Sequence, residues 1–118
     1  MAKYKELIVW QKAMDMTIFV YKIIETFPKK EMYALSDQIR RCSVSVPSNI
    51  AEGSARNSKK EFVQFLHIAL GSLYELQTQL EIAYRVGYCS YERELENKIH
   101  EIEKMLNALI TSIKRGIQ

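Results

Sequence analysis

Long apolar runs are missing from this sequence. The longest, Met16 to Tyr21, is six residues and includes Thr17, far short of a bilayer span, so no membrane partner is expected. No apolar region follows the charged opening Met1-Ala2-Lys3-Tyr4-Lys5-Glu6, so no secretory leader is expected and the expected compartment is the cytoplasm. Only four glycines and two prolines occur, which leaves little room for irregular segments. The two cysteines, Cys42 and Cys89, lie far apart without ligand spacing, which excludes a disulfide framework and reads as small apolar packing in a reducing compartment.

The residues that chemistry needs are absent in the same way. A di-iron bundle site takes Glu-x-x-His from two helices, and no such pair occurs; the nearest pattern, His100 with Glu103, runs backwards. No glycine-rich phosphate loop exists, since Gly53 stands alone. Cys42 falls on an apolar stripe and Cys89 has no histidine near it in sequence, which disfavours a nucleophile. The expectation is a protein with no catalytic residue, no metal, no cofactor and no small-molecule substrate.

What is present is helical periodicity. The 118 residues, 47% hydrophobic and 26% charged, suit one soluble domain over 1–118. A first helix is expected from about Glu6 to Phe27, stopped by Pro28, with Leu7, Trp10, Met14, Ile18, Tyr21 and Ile24 inward. Phe19, Val20 and Ile23 fall outside that stripe. This surplus apolar width predicts that they form an interface with another copy. A second helix, about Ala34 to Ala51, has Leu35, Ile39, Cys42, Val46 and Ile50 inward and a kink rather than a break at Pro47. Ser43, Ser45 and Ser48 are the candidates to satisfy the freed backbone groups, and Gly53 is expected as a left-handed cap.

Ser58-Lys59-Lys60-Glu61 reads as a capping box opening a third helix. Phe62, Leu66, Ala69, Leu73, Leu76, Leu80 and Ala83 step by four and three, with Gly71 and Ser72 small enough for a close neighbour. Gly87 is its terminator and Ser90 the expected cap of a fourth helix. That helix carries Leu95, Ile99, Ile102, Leu106, Leu109 and Ile113 on one face. Short connections between sequential helices give an all-α, antiparallel up-and-down four-helix bundle.

The charge is unevenly spread. Residues 1–60 hold eleven basic against six acidic residues, whereas 61–118 hold six against eight. Gln38, Arg41, Ser45, Asn49, Glu52 and Arg56 recur at steps of three and four along the second helix. They read as a polar stripe opposite the core that leads into Lys59 and Lys60. Such a stripe is either a solvated face or a surface that meets phosphates or acidic side chains.

Three segments extend the reading by resemblance: Val9-Trp10-Gln11-Lys12-Ala13, Ser36-Asp37-Gln38-Ile39-Arg40-Arg41 with Ser45-Val46-Pro47-Ser48-Asn49-Ile50-Ala51-Glu52-Gly53, and Lys60 through Ser72. From about Leu7 to Leu109 the chain resembles the bacterial four-helix-bundle proteins called 23S rRNA intervening-sequence proteins. The resemblance implies a four-helix bundle, a ring-like homopentamer, and association with RNA. A similar protein is the accessory factor of diversity-generating retroelements, a more basic pentamer that binds a reverse transcriptase and nucleic acid. A net charge of +3 is modest for one protomer, but a ring of five would carry +15. The function expected is therefore a non-enzymatic, homo-oligomeric bundle binding RNA or a ribonucleoprotein. Arg40, Arg41, Arg56, Lys59 and Lys60 are expected to make its phosphate contacts. The alternative is a protein-interaction scaffold that binds no nucleic acid.

Overall fold

The computed structural model describes residues 3–117. A 3-10 turn, Lys3–Glu6, leads into α1 (Ile8–Ile24); α2 (Leu35–Ser54), α3 (Lys59–Arg85) and α4 (Arg93–Ile117) follow, with a second 3-10 turn at Lys29–Glu31. Helix α1 packs on α2 and α4, and α3 packs on the same two, so the helices occupy the corners of a square with empty diagonals. Contacts run in opposite directions along α2–α3 and along α1–α4. Ser45 meets Ser72 while Cys42 meets Glu75, and Lys12 meets Glu101 while Lys98 meets Phe19. This is the antiparallel four-helix bundle expected from the spacing.

The cores of α3 and α4 follow the expected rhythm. Leu66, Ala69, Leu73, Leu76 and Ala83 are buried from α3 and Leu95, Ile99, Ile102 and Leu106 from α4, while Phe62, Leu80, Leu109 and Ile113 are half-buried against the core and Ile110 is buried in place of Leu109. Helix α1 departs from the expectation in its middle: Ile24 is buried and Leu7 and Trp10 pack half-buried on the core as expected, but the residues between them do not. Val9, Ala13, Met16, Val20 and Ile24 are its buried residues, with Phe27 buried just beyond its end, whereas Met14, Ile18 and Tyr21 face outward. Val20 is thus a fully buried core residue and not an interface residue, and Phe19 and Ile23 are half-buried against the core. The surplus apolar width is real, but it lies on the opposite face. The physical reason is Ala13, which completes a 9-13-16-20-24-27 stripe once alanine is counted as apolar.

Helix α2 continues through Pro47 without a break. Proline has no amide to donate to the carbonyl of Ser43, and none of the neighbouring serines takes that role. Ser43 Oγ turns back to the carbonyl of Arg40, 2.9 Å away. The Ser43 carbonyl instead accepts from Thr17 Oγ1 of α1 at 3.0 Å, a bond that fills the gap from the neighbouring helix.

Gly53 is likewise not a left-handed cap. It lies inside α2, and a Cβ there would meet the Phe65 Cβ at 2.6 Å, so the glycine sets the close approach of α2 to α3. The left-handed backbone belongs to Gly87, φ 83°, at the end of α3. Gly71 faces open space, whereas its neighbour Ser72 is buried in the α2–α3 seam. Ser58 caps α3 through a 3.0 Å bond from the Glu61 amide. Helix α4 begins at Arg93, three residues beyond the expected cap Ser90. No helix among the described residues is long and apolar enough to cross a membrane.

A candidate nucleic-acid interface at one end of the bundle

Antiparallel packing decides which charges meet. The start of α1, the end of α2, the start of α3 and the end of α4 lie at one end of the bundle. The 3-10 turn Lys3–Glu6 packs against α2, and Lys59 Nζ stands 3.1 Å from where a Cβ on Gly116 would be. Arg56, Lys59 and Lys60 therefore share this end with Lys3, Lys5, Lys114 and Arg115. Among the described residues the carboxylate side chains there are Glu6, Glu52 and Glu61, so cationic side chains outnumber them by four.

The pairing within this group is uneven. Glu52, in the last turn of α2, bonds Arg56, two residues beyond the helix, at 2.8 Å. The Arg56 guanidinium also lies over the Phe65 ring, 4.8 Å from its centroid. Among the described residues no carboxylate pairs with Lys59, Lys60, Lys114 or Arg115. Lys59 and Lys60 occupy the first turn of α3, where the macrodipole favours negative charge, so helix stability does not explain them.

Two of the five expected phosphate contacts lie elsewhere. Arg40 and Arg41 are in the first third of α2, and about 21 Å of helix separates Arg40 from the end of α2 at Ser54, with Arg56 beyond it. Arg40 is half-buried, and Arg41, its side chain 79% exposed, pairs with Asp37 at 3.1 Å. The five cations do not form one patch.

The polar stripe also divides. Gln38 and Glu52 are exposed, but Ser45 and Asn49 are half-buried in the α2–α3 seam. Ser45 Oγ is 2.7 Å from Ser72 Oγ, and Asn49 Nδ2 donates to the Ser45 carbonyl at 2.8 Å. These groups satisfy one another and join helices; they do not present a recognition surface. Sequence reading missed the chain's terminal cations, because only the antiparallel topology brings Lys3, Lys5, Lys114 and Arg115 beside Lys59.

Neither cysteine is activated. Burial raises the thiol pKa of both Cys42 and Cys89, and Cys42 Sγ sits 3.8 Å from the Glu75 carboxylate, which disfavours a thiolate further. No metal-binding cluster of histidine, cysteine and carboxylates occurs among the described residues. A cleft of about 220 Å³ opens at the other end, between α3 and α4. Tyr84, Tyr91 and His100 line it with Glu81, Glu92 and Glu96, so its rim is acidic and unsuited to a polyanion.

Fold and charge together define an all-α bundle with one cationic end and no assembled catalytic constellation among the described residues. The chain belongs to the 23S rRNA-intervening sequence protein family, whose sequence profile matches residues 5–108. A crystal structure from Bacteroides thetaiotaomicron VPI-5482, described as a protein of unknown function from the S23 ribosomal protein family, has the same fold. Its TM-score is 0.77 at 27% identity, over 87% of this chain and 98% of that one. No curated protein matches the sequence.

Proposed function

We propose that this protein binds RNA, or an RNA–protein particle, through the cationic end of its bundle, as a non-catalytic, self-associating protein of the cytoplasm. The observation that carries the reading is the convergence of Arg56, Lys59 and Lys60 with Lys3, Lys5, Lys114 and Arg115, four cationic side chains in excess of the carboxylate side chains among the described residues there. Arg40 and Arg41 stand apart from this group and are not counted as contacts. The family description, which names 23S rRNA, points to the same class of ligand. Phosphate contact by lysine is a matter of charge and position, and its signature is salt dependence.

The test is anisotropy of a labelled structured RNA titrated at several salt concentrations. The logarithm of affinity should fall linearly with the logarithm of salt. Lys59→Ala with Lys60→Ala should lower the steepness by about two contacts. Lys29→Ala with Lys30→Ala, at the opposite end, should leave it unchanged. No binding at 100 mM salt, or binding indifferent to salt, overturns the reading.

A second reading, a protein-interaction scaffold without nucleic-acid binding, is favoured by the outer face of α1. There Met14, Ile18 and Tyr21 are exposed on consecutive turns. The same face suits a second copy of the chain, and the family resemblance suggests a homopentamer.

A further inference from the structure

We propose that the Arg56–Phe65 pair is a stacking platform for an unpaired nucleobase, so that the cationic end prefers single-stranded RNA over duplex. The inference rests on the RNA reading above and adds to it the class of RNA.

The pair is built in three steps. Gly53, lacking a Cβ, lets the Phe65 Cβ approach the α2 backbone to a distance that any side chain at 53 would obstruct. Phe65 is thereby held half-buried at the edge of the α2–α3 seam, beneath the last turn of α2. Arg56, two residues beyond that helix, lays its guanidinium over the ring, 4.8 Å from the centroid. Glu52 Oε1 then takes one guanidinium nitrogen at 2.8 Å and fixes the group from the side.

A guanidinium so held is a planar cation with its central carbon over a benzene ring and one nitrogen on Glu52, and the Arg56 side chain remains 43% exposed to solvent. Planar delocalised cations stack on nucleobases, and arginine planes are a recurrent partner for unstacked bases in RNA recognition. A bare surface salt bridge needs no aromatic ring beneath it. Lys59 and Lys60 follow within four residues, close enough to take the phosphates flanking a base seated on Arg56. In a duplex both faces of every internal base are already stacked, so the platform has nothing to receive.

The experiment compares three labelled RNAs with the full chain at low salt: a twelve-nucleotide single strand, the same strand with abasic sites, and a blunt duplex of equal length. Wild type should bind the single strand about tenfold more tightly than the abasic strand. Arg56→Lys keeps the charge and removes the plane. It should abolish that preference, so that the single strand binds no more tightly than the abasic one. Circular dichroism of the exposed-site variant confirms that the bundle is intact. Wild type that binds all three RNAs equally, or Arg56→Lys that keeps the preference, overturns the platform and leaves the phosphate reading standing. Wild type that binds none overturns both.

Discussion

At the scale of single residues, the clearest departure from helical regularity is Pro47, and its remedy comes from another helix. An interior proline costs on the order of 3 kcal/mol when its lost bond goes unreplaced. Here the single Thr17 hydroxyl proton is shared between the Ser43 carbonyl at 3.0 Å and the Ala13 carbonyl of its own helix at 2.9 Å. Thr17→Val should therefore destabilise the bundle by about 1–2 kcal/mol, read from urea unfolding, since it leaves a part-buried acceptor unpaired. In a Pro47→Ala background the backbone amide gained at position 47 can supply the missing bond, and the same Thr17→Val change should cost markedly less. Equal losses in the two backgrounds would show that Thr17 acts by packing alone. Sequence revealed the problem at Pro47 but not its solution, because pairing across twenty-six residues depends on the register of two helices. The same limit explains Gly53. Its identity suggested a cap, and only the position of Phe65 reveals a close approach.

At the scale of elements, the four helices and their order were legible because apolar spacing records which face is buried. That record was unambiguous where one stripe existed, on α3 and α4. It misled on α1, which carries two apolar stripes, since periodicity identifies faces without saying which one meets the core. The connections were the least legible parts, and they hold an ion-dependent contact. Glu31, in the turn between α1 and α2, accepts the Leu35 amide at 3.2 Å and the Tyr88 hydroxyl at 2.8 Å, tying this turn to the α3–α4 connection. The Tyr88 hydroxyl and then the Leu35 amide hold the Glu31 carboxyl below its ordinary pKa, while bonding to Glu31 raises that of Tyr88. A carboxyl lowered by folding contributes stability above its unfolded pKa and loses it as pH falls through the folded value. A phenol raised by folding contributes below its unfolded pKa and loses the contribution as pH rises through the folded one. Glu31→Gln should thus lower the melting temperature at pH 7, with the difference from wild type shrinking in acid below the ordinary carboxylate range. A difference that persists undiminished at pH 3 would assign the effect to shape and not to charge.

At the scale of the molecule, the bundle is a rod of 48 × 23 × 20 Å. Its radius of gyration, 15.0 Å, exceeds the roughly 13.5 Å of an average domain this size, so its sides offer much more area than its ends. Charge sits at one end and the unpartnered apolar residues of α1 lie along a side. Copies joined side by side through Met14, Ile18 and Tyr21, with axes parallel, would bring every cationic end to one rim. Affinity for a long polyanion then depends on assembly, because a second protomer binds at the high effective concentration set by the first. Ile18→Glu buries nothing new within the protomer, Ile18 being 53% exposed, and should leave helicity intact while converting the particle to monomers in light scattering. RNA affinity should fall with it by about 10² or more, although every cation is retained. Substitution of Lys59 and Lys60 should do the reverse, weakening RNA binding in an assembly that stays whole. A wild-type monomer at micromolar concentration, or an assembly indifferent to Ile18→Glu, would rule out this face as the joint. Assembly lost with RNA affinity unchanged would instead mean that one cationic end suffices.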